Sequence, residues 1–182
     1  MKRSFLNSTA ALLVLPFLAA GLLLNGCGKK DNATPTGDGT VSWTHNGTAY
    51  ADALQASAIQ DSDTSLLITG SSADRNNIVS LRLIRIYRRG AAAYELRRGS
   101  LVNNYSVGGL TLGGSNPSAG TQFLTLYGPN STSNGTVTVS QYDRAGQKVA
   151  GTFSFTAGAL PNTAASGTQT VTNGSFSFTR FR

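Results

Sequence analysis

"GTFSFT" at residues 151–156 returns almost unchanged as "GSFSFT" at residues 174–179, and the reading of that pair decides the fold. In each copy phenylalanine alternates with serine or threonine. A period of two puts Phe153 and Phe155 on one face of an extended strand, with Ser154 and Thr156 on the other. Phe176 and Phe178 repeat the arrangement. Two such strands side by side set four rings on one face, each burying about 150–250 Å². A clean alternation of buried and solvated residues is the pattern of an antiparallel sheet. We read the echo as two core strands with a common solution to half-burial, in preference to a duplicated ligand site.

Working outward, the same alternation recurs along the chain. Val41-Ser42-Trp43-Thr44 and Thr48-Ala49-Tyr50 flank His45-Asn46-Gly47. Asn-Gly between two such runs predicts a tight hairpin, because both residues tolerate positive φ. Further strands are expected at Ala56 to Gln60, Ser65 to Thr69, Ala93 to Arg97, Gln122 to Tyr127, Gly135 to Tyr142 and Val149 to Ala157. A last strand runs from Gln169 to Phe181, with a break at Asn173-Gly174. Leu101 to Gly120 reads as loop with one short strand, and Asp143 to Gly146 as a hairpin turn. Ile78 to Tyr87 puts Val79, Leu81 and Leu83 on one face, then slips phase at Ile84 and Ile86. A β-bulge explains such a slip, and one or two helical turns remain an alternative. No longer repeat is present, which argues against a propeller or solenoid. The expected fold class is all-β: a single antiparallel β-sandwich or small barrel of about eight or nine strands.

The order of landmarks is similar to a known family. Trp43, Asn46-Gly47 and Tyr50 come first, then Ala93-Tyr94-Glu95-Leu96 after Gly90. Gly135-Thr136-Val137-Thr138-Val139, Tyr142-Asp143, Val149 to Phe155 and Val171 to Phe176 follow. This resembles a family of small secreted bacterial lipoproteins catalogued only as a domain of unknown function, over most of residues 41 to 178. The resemblance implies an all-β, lipid-anchored protein and supplies no catalytic residues.

The first residues read as an address. Met1-Lys2-Arg3 is positive, and an apolar run follows from Ala10 through Leu24. At about 15 residues it is short for a membrane span and right for a secretory signal. It ends in Leu24-Asn25-Gly26-Cys27, which resembles a bacterial lipobox, with Asn25 departing from the usual Ala, Ser or Thr. The resemblance implies that Cys27, the only cysteine, becomes the first mature residue and carries a diacylglycerol thioether. Two or more acyl chains anchor a protein stably where one exchanges. Residues 28 to 40, GKKDNATPTGDGT, contain no large apolar side chain and read as a tether. The expected organisation is a signal peptide over 1–26, a lipidated cysteine and tether over 27–40, and an all-β domain over 41–182. The location implied is the cell envelope, with the outer membrane as the leading site.

Removing Lys2 and Arg3 leaves 15 − 2 = 13 basic residues against 8 acidic ones, a charge of +5. Charged residues make up 13% of the chain, against about 25% for an average domain; Ser, Thr, Asn and Gly take their place. With Cys27 lipidated, no disulfide can form and stability must come from the core. The remaining length suits one domain.

Little in the chain points to chemistry. His45, the single histidine, sits in the expected hairpin turn and reads as a solvated residue. Metal sites of the His/Cys type need several such ligands, and no nucleophile elbow or phosphate-cradling glycine loop occurs. No cofactor is expected. Asp61-Ser62-Asp63 fails as a calcium loop, because Leu66 and Ser72 stand where glycine and an acid are required. Asp52, Asp74, Glu95 and Asp143 are scattered.

The one concentrated feature is basic. Arg82, Arg85, Arg88, Arg89, Arg97 and Arg98 are six of the 13 mature cations. Pairing of the strands around Gly90 would gather them on one surface. Such a patch favours an acidic glycan, a lipid headgroup or an acidic envelope protein. The plainer alternative is a charged sheet edge guarded against aggregation. Nucleic acid fits poorly with an exported, anchored chain. The leading expectation is therefore a non-enzymatic, lipid-anchored domain that binds or scaffolds an envelope component. Two alternatives stand beside it: a barrel carrying an apolar ligand, and a glycan or lipid hydrolase.

Overall fold

The computed structural model describes residues 38–52, 55–62, 64–99, 105–114 and 120–182. Residues 1–37, which include the stretch read from sequence as a signal peptide, Cys27 and most of the stretch read as a tether, lie outside them, as do residues 53, 54, 63, 100–104 and 115–119. Eleven strands form one antiparallel sheet that does not close into a barrel. They are β1 (Gly39–His45), β2 (Thr48–Asp52), β3 (Ser57–Ser62), β4 (Ser65–Ser71), β5 (Asn77–Ile84), β6 (Ala93–Glu95), β7 (Val107–Leu112), β8 (Thr121–Leu124), β9 (Gly135–Asp143), β10 (Lys148–Ala159) and β11 (Thr168–Phe178). The all-β expectation holds, with eleven strands in place of eight or nine. Gly39 and Thr40, read from sequence as the end of the tether, belong to β1 and pair with Phe178 and Ser177.

The strand order is β2-β1-β11-β10-β8-β7-β5-β4-β3. β10 carries a branch: one edge pairs with β9 along Lys148–Phe155, then passes to β8 at Gly158 and Ala159. β9 in turn carries β6. Gly158 makes the handover feasible, since a Cβ there would lie 1.8 Å from the Tyr127 carbonyl oxygen. The sheet then turns back on itself and brings β4 against β1. Gly70 lies beneath Val41 and Trp43, where a Cβ would sit 2.7 Å from that of Val41.

The two echoing segments are neighbours, as their alternation implied, but they are offset. Phe153 faces Gly174 and Phe176 faces Gly151 across the β10–β11 pair. Each ring covers a glycine where two facing side chains would collide. Phe153 stacks on Phe155 at 6.2 Å and on Phe176 at 6.4 Å between centroids. The break at Asn173-Gly174 is a bulge. Asn173 takes φ 51°, and the register shifts there against both neighbouring strands. The extra residue lets Val171 and Phe176, of opposite sequence parity, both face the core.

The Asn46-Gly47 hairpin forms as expected, with φ of 49° and 76°. The slip after Leu83 resolves differently from a bulge. Arg85 takes φ 61°, and a single helical turn, α1 (Ile86–Arg89), follows and buries Ile86. The final strand stops at Phe178, short of the expected Phe181. Residues 179–182 cross to the free edge of β3, where Arg182 N donates to Ala58 O and Gln60 N donates to Arg182 O. This covers an edge that would otherwise expose unpaired backbone. Phe181 is buried and stacks on Tyr142 at 5.8 Å.

Aromatic and branched side chains fill the interior, led by Trp43, Tyr94, Leu66, Ile68, Leu81 and Leu83. A carrier would need a cavity of about 300 Å³ or more. The space beside Leu66, Ile86, Tyr142 and Phe181 is about 10 Å³. The sheet does not close into a barrel, so it has no barrel interior among the described residues in which to carry a ligand.

Candidate functional site

The end of β5, α1, β6 and the segment leading into β7 enclose a groove of about 470 Å³. Its basic residues are Arg85, Arg89 and Arg97; its one acid is Glu95; Tyr105 and Ser106 complete the polar lining. Each arrives by a local cause. The αL backbone at Arg85 ends β5 and reverses the chain. Arg89 closes the helical turn one step before Gly90, whose φ of 61° sends the chain back into β6. Glu95 and Arg97 stand two apart and therefore project to the same side of an extended chain. Tyr94 and Leu96, which alternate with them, are fully buried.

The three arginines differ in how far they are committed. Arg97 donates to Glu95 Oε2 from Nε at 2.7 Å and from its terminal nitrogen at 2.5 Å. Its guanidinium also lies 5.4 Å from the Tyr105 ring centroid. Hydrogen bonding and charge from Glu95, then a hydrogen bond with Tyr105, raise the Arg97 pKa above its ordinary value. Arg89 donates to Ala93 O at 2.8 Å and covers the Tyr94 ring at 4.7 Å. The Arg85 guanidinium has no partner among the described residues. The Ser106 hydroxyl accepts the Ile84 N–H at 3.1 Å, which leaves its own proton to be donated.

The other three sequence candidates lie elsewhere. Arg82 pairs with Asp61 at 2.6 Å. Arg88 lies over the Tyr87 ring at 5.4 Å and does not line the groove. Arg98 is exposed and likewise outside it. Of the six, Arg85, Arg89 and Arg97 line the groove and Arg82, Arg88 and Arg98 do not.

Tyr94 is buried beneath Arg89, whose guanidinium covers its ring. Its hydroxyl donates to Gly90 O at 2.7 Å. Burial pushes its pKa up to about 12, against a smaller lowering by Arg89. Burial likewise raises the pKa of Tyr142.

His45 is a correction. It ends β1 and is only 4% exposed, where a solvated turn residue was expected. It joins a buried polar chain. Trp43 Nε1 donates to Asn77 Oδ1 at 3.0 Å, Asn77 Nδ2 donates to His45 Nδ1 at 2.8 Å, and His45 Nε2 meets Gln169 Oε1 at 2.8 Å. With Asn77 donating, Nδ1 must accept, so the proton sits on Nε2. This network ties β1 to β5 and β11. The scattered acids are likewise held by their own neighbours. Asp52 accepts from Gln55 N and Ser71 N, and Asp143 from Gly146 N. Ser72 and Asn76 bind Asp74 and lower its pKa.

Fold and groove together define an all-β domain, one folded-back antiparallel sheet with a cationic groove beside the helical turn α1. The chain belongs to the family described as Domain of unknown function (DUF6252), which matches residues 38–179. No curated protein and no solved structure matches it.

Proposed function

We propose that this chain is a lipid-anchored cell-envelope protein, held in the outer membrane through Cys27, whose β domain binds or scaffolds an anionic envelope component without catalysing a reaction. The observation that carries the binding reading is the convergence of Arg85, Arg89 and Arg97 on one groove with a single carboxylate. Guanidinium groups keep their protons at every physiological pH, so they attract and orient anions but do not shuttle protons. The groove's only acid, Glu95, is engaged with Arg97. The anchor reading rests on the positive start, the short apolar run and Leu24-Asn25-Gly26-Cys27.

Two measurements test the proposal. Mass spectrometry of the chain from cells should find Cys27 acylated at the mature N-terminus, and Cys27→Ala should leave the membrane fraction. A bare Cys27 on chain shed into the medium refutes the anchor. The full-length chain in detergent should bind dextran sulfate, more weakly as salt rises and more weakly again in Arg85→Gln. Binding indifferent to both salt and Arg85 rejects the groove.

A further inference from the structure

We infer that the groove receives a phosphoryl group, and that Glu95 is an internal placeholder which this group displaces from the Arg97 guanidinium. This rests on the anionic-ligand reading above and narrows it to one chemistry. Three guanidinium charges against one carboxylate leave 3 − 1 = +2 in the groove. A phosphate monoester carries about −1.5 to −2 at neutral pH, with three strong acceptor oxygens. A sulfate ester or a single carboxylate carries one negative charge and leaves part of the groove uncompensated.

The donors are arranged for such a group. Arg85 has its whole planar fork unused among the described residues. Arg89 is held in place by Ala93 O and the Tyr94 ring while spending few of its five donors. Ser106, itself only 5% exposed, can give its hydroxyl proton. Arg97 is the fourth donor, but Glu95 covers its Nε and one terminal nitrogen. That is the same edge an Arg presents to a phosphate in a forked pair. The Glu95–Arg97 pair is exposed, with side chains 52% and 43% accessible, so exchanging one oxyanion for another there costs little. Glu95 thus keeps the Arg97 side chain extended along the groove when no ligand is present.

Isothermal titration of the full-length chain in detergent tests this, with methyl phosphate, methyl sulfate and acetate as probes, of which only the phosphate monoester approaches two negative charges at neutral pH. Methyl phosphate should bind more tightly than either of the others. Glu95→Gln should tighten phosphate binding by about tenfold, since one competing charge is removed. Glu95→Ala should do the same. Arg97→Gln should weaken it by a similar factor, and Arg98→Gln should leave it unchanged. Unchanged urea midpoints for the exposed Glu95 variants exclude a folding artefact. Phosphatidylcholine vesicles with and without phosphatidic acid form the second arm. Phosphatidic-acid-dependent binding with the same variant pattern marks a lipid headgroup as the source; response to phosphate alone marks a free phosphate ester. Either supports the inference. Phosphate no tighter than acetate, while dextran sulfate still binds through Arg85, overturns the phosphoryl assignment and spares the anionic groove. Loss of all anion binding removes both. Glu95→Gln and Glu95→Ala that weaken phosphate binding, or leave it unchanged, overturn the placeholder role.

Discussion

Replacing Asn77 with alanine should destabilise the domain by about 3 kcal/mol, well beyond what its small size suggests. Asn77 is 5% exposed and joins two other buried side chains. Its carbonyl takes the only indole N–H in the chain, and its amide supplies the proton for His45 Nδ1. Alanine removes both contacts and leaves two buried polar atoms unpartnered, each costing about 1–3 kcal/mol. A urea m-value of about 2 kcal/mol/M turns a 3 kcal/mol loss into a midpoint shift of about 1.5 M. Far-UV circular dichroism follows the sheet, and Trp43 fluorescence reports the network directly because no other tryptophan interferes. Trp43→Phe supplies the second half of the cycle. Its cost should shrink in the Asn77→Ala background, where the indole N–H has already lost its acceptor. A loss under about 0.5 kcal/mol, the range of a surface substitution, would refute the reasoning. So would strictly additive effects of the two changes.

Gly174→Ala would place a Cβ 2.5 Å from the Phe153 ring and should cost about 1–3 kcal/mol by urea unfolding; wild-type stability would mean the ring moves freely aside. Phe181→Ala should cost about 3–5 kcal/mol and speed proteolysis near β3, whose edge the 179–182 segment covers; unchanged protease sensitivity would refute that role. Because Tyr94 is raised to about 12 in the folded state from the ordinary 10, the unfolded chain loses this proton first. Stability from Tyr94 is therefore complete below about pH 10 and is lost as pH rises toward about 12. Tyr94→Phe should flatten unfolding free energy against pH in that window, and an unaltered slope would assign the alkaline sensitivity to other groups.

Much of the sheet was legible because the signals are local. Asn46-Gly47 specifies its hairpin within a few bonds, and the alternation around Phe153 and Phe176 names the inward face whatever lies opposite. The slip after Leu83 was visible, but its cause was not. A bulge and a helical turn both shift the phase, and the choice fell to Arg85 adopting φ 61° where the chain folds back toward β6. His45 was misread because a residue at a hairpin end is solvated unless something distant covers it. Asn77 and Gln169, 32 and 124 residues away, do so. The arginines were visible as a cluster, whereas Tyr105 and Ser106 sit in a Gly-, Ser- and Asn-rich stretch with no distinguishing pattern.

Taken alone, the sequence determined the all-β class, the hairpins and the inward set of side chains, since each is written in the spacing of neighbouring residues. Tertiary structure alone decided that β10 branches, that Phe153 covers Gly174 and not another ring, that residues 179–182 seal β3, and that three arginines share a groove with Glu95 while three do not. Those outcomes depend on which segments become neighbours, and strand pairing brings together residues whose separation along the chain carries no trace of it.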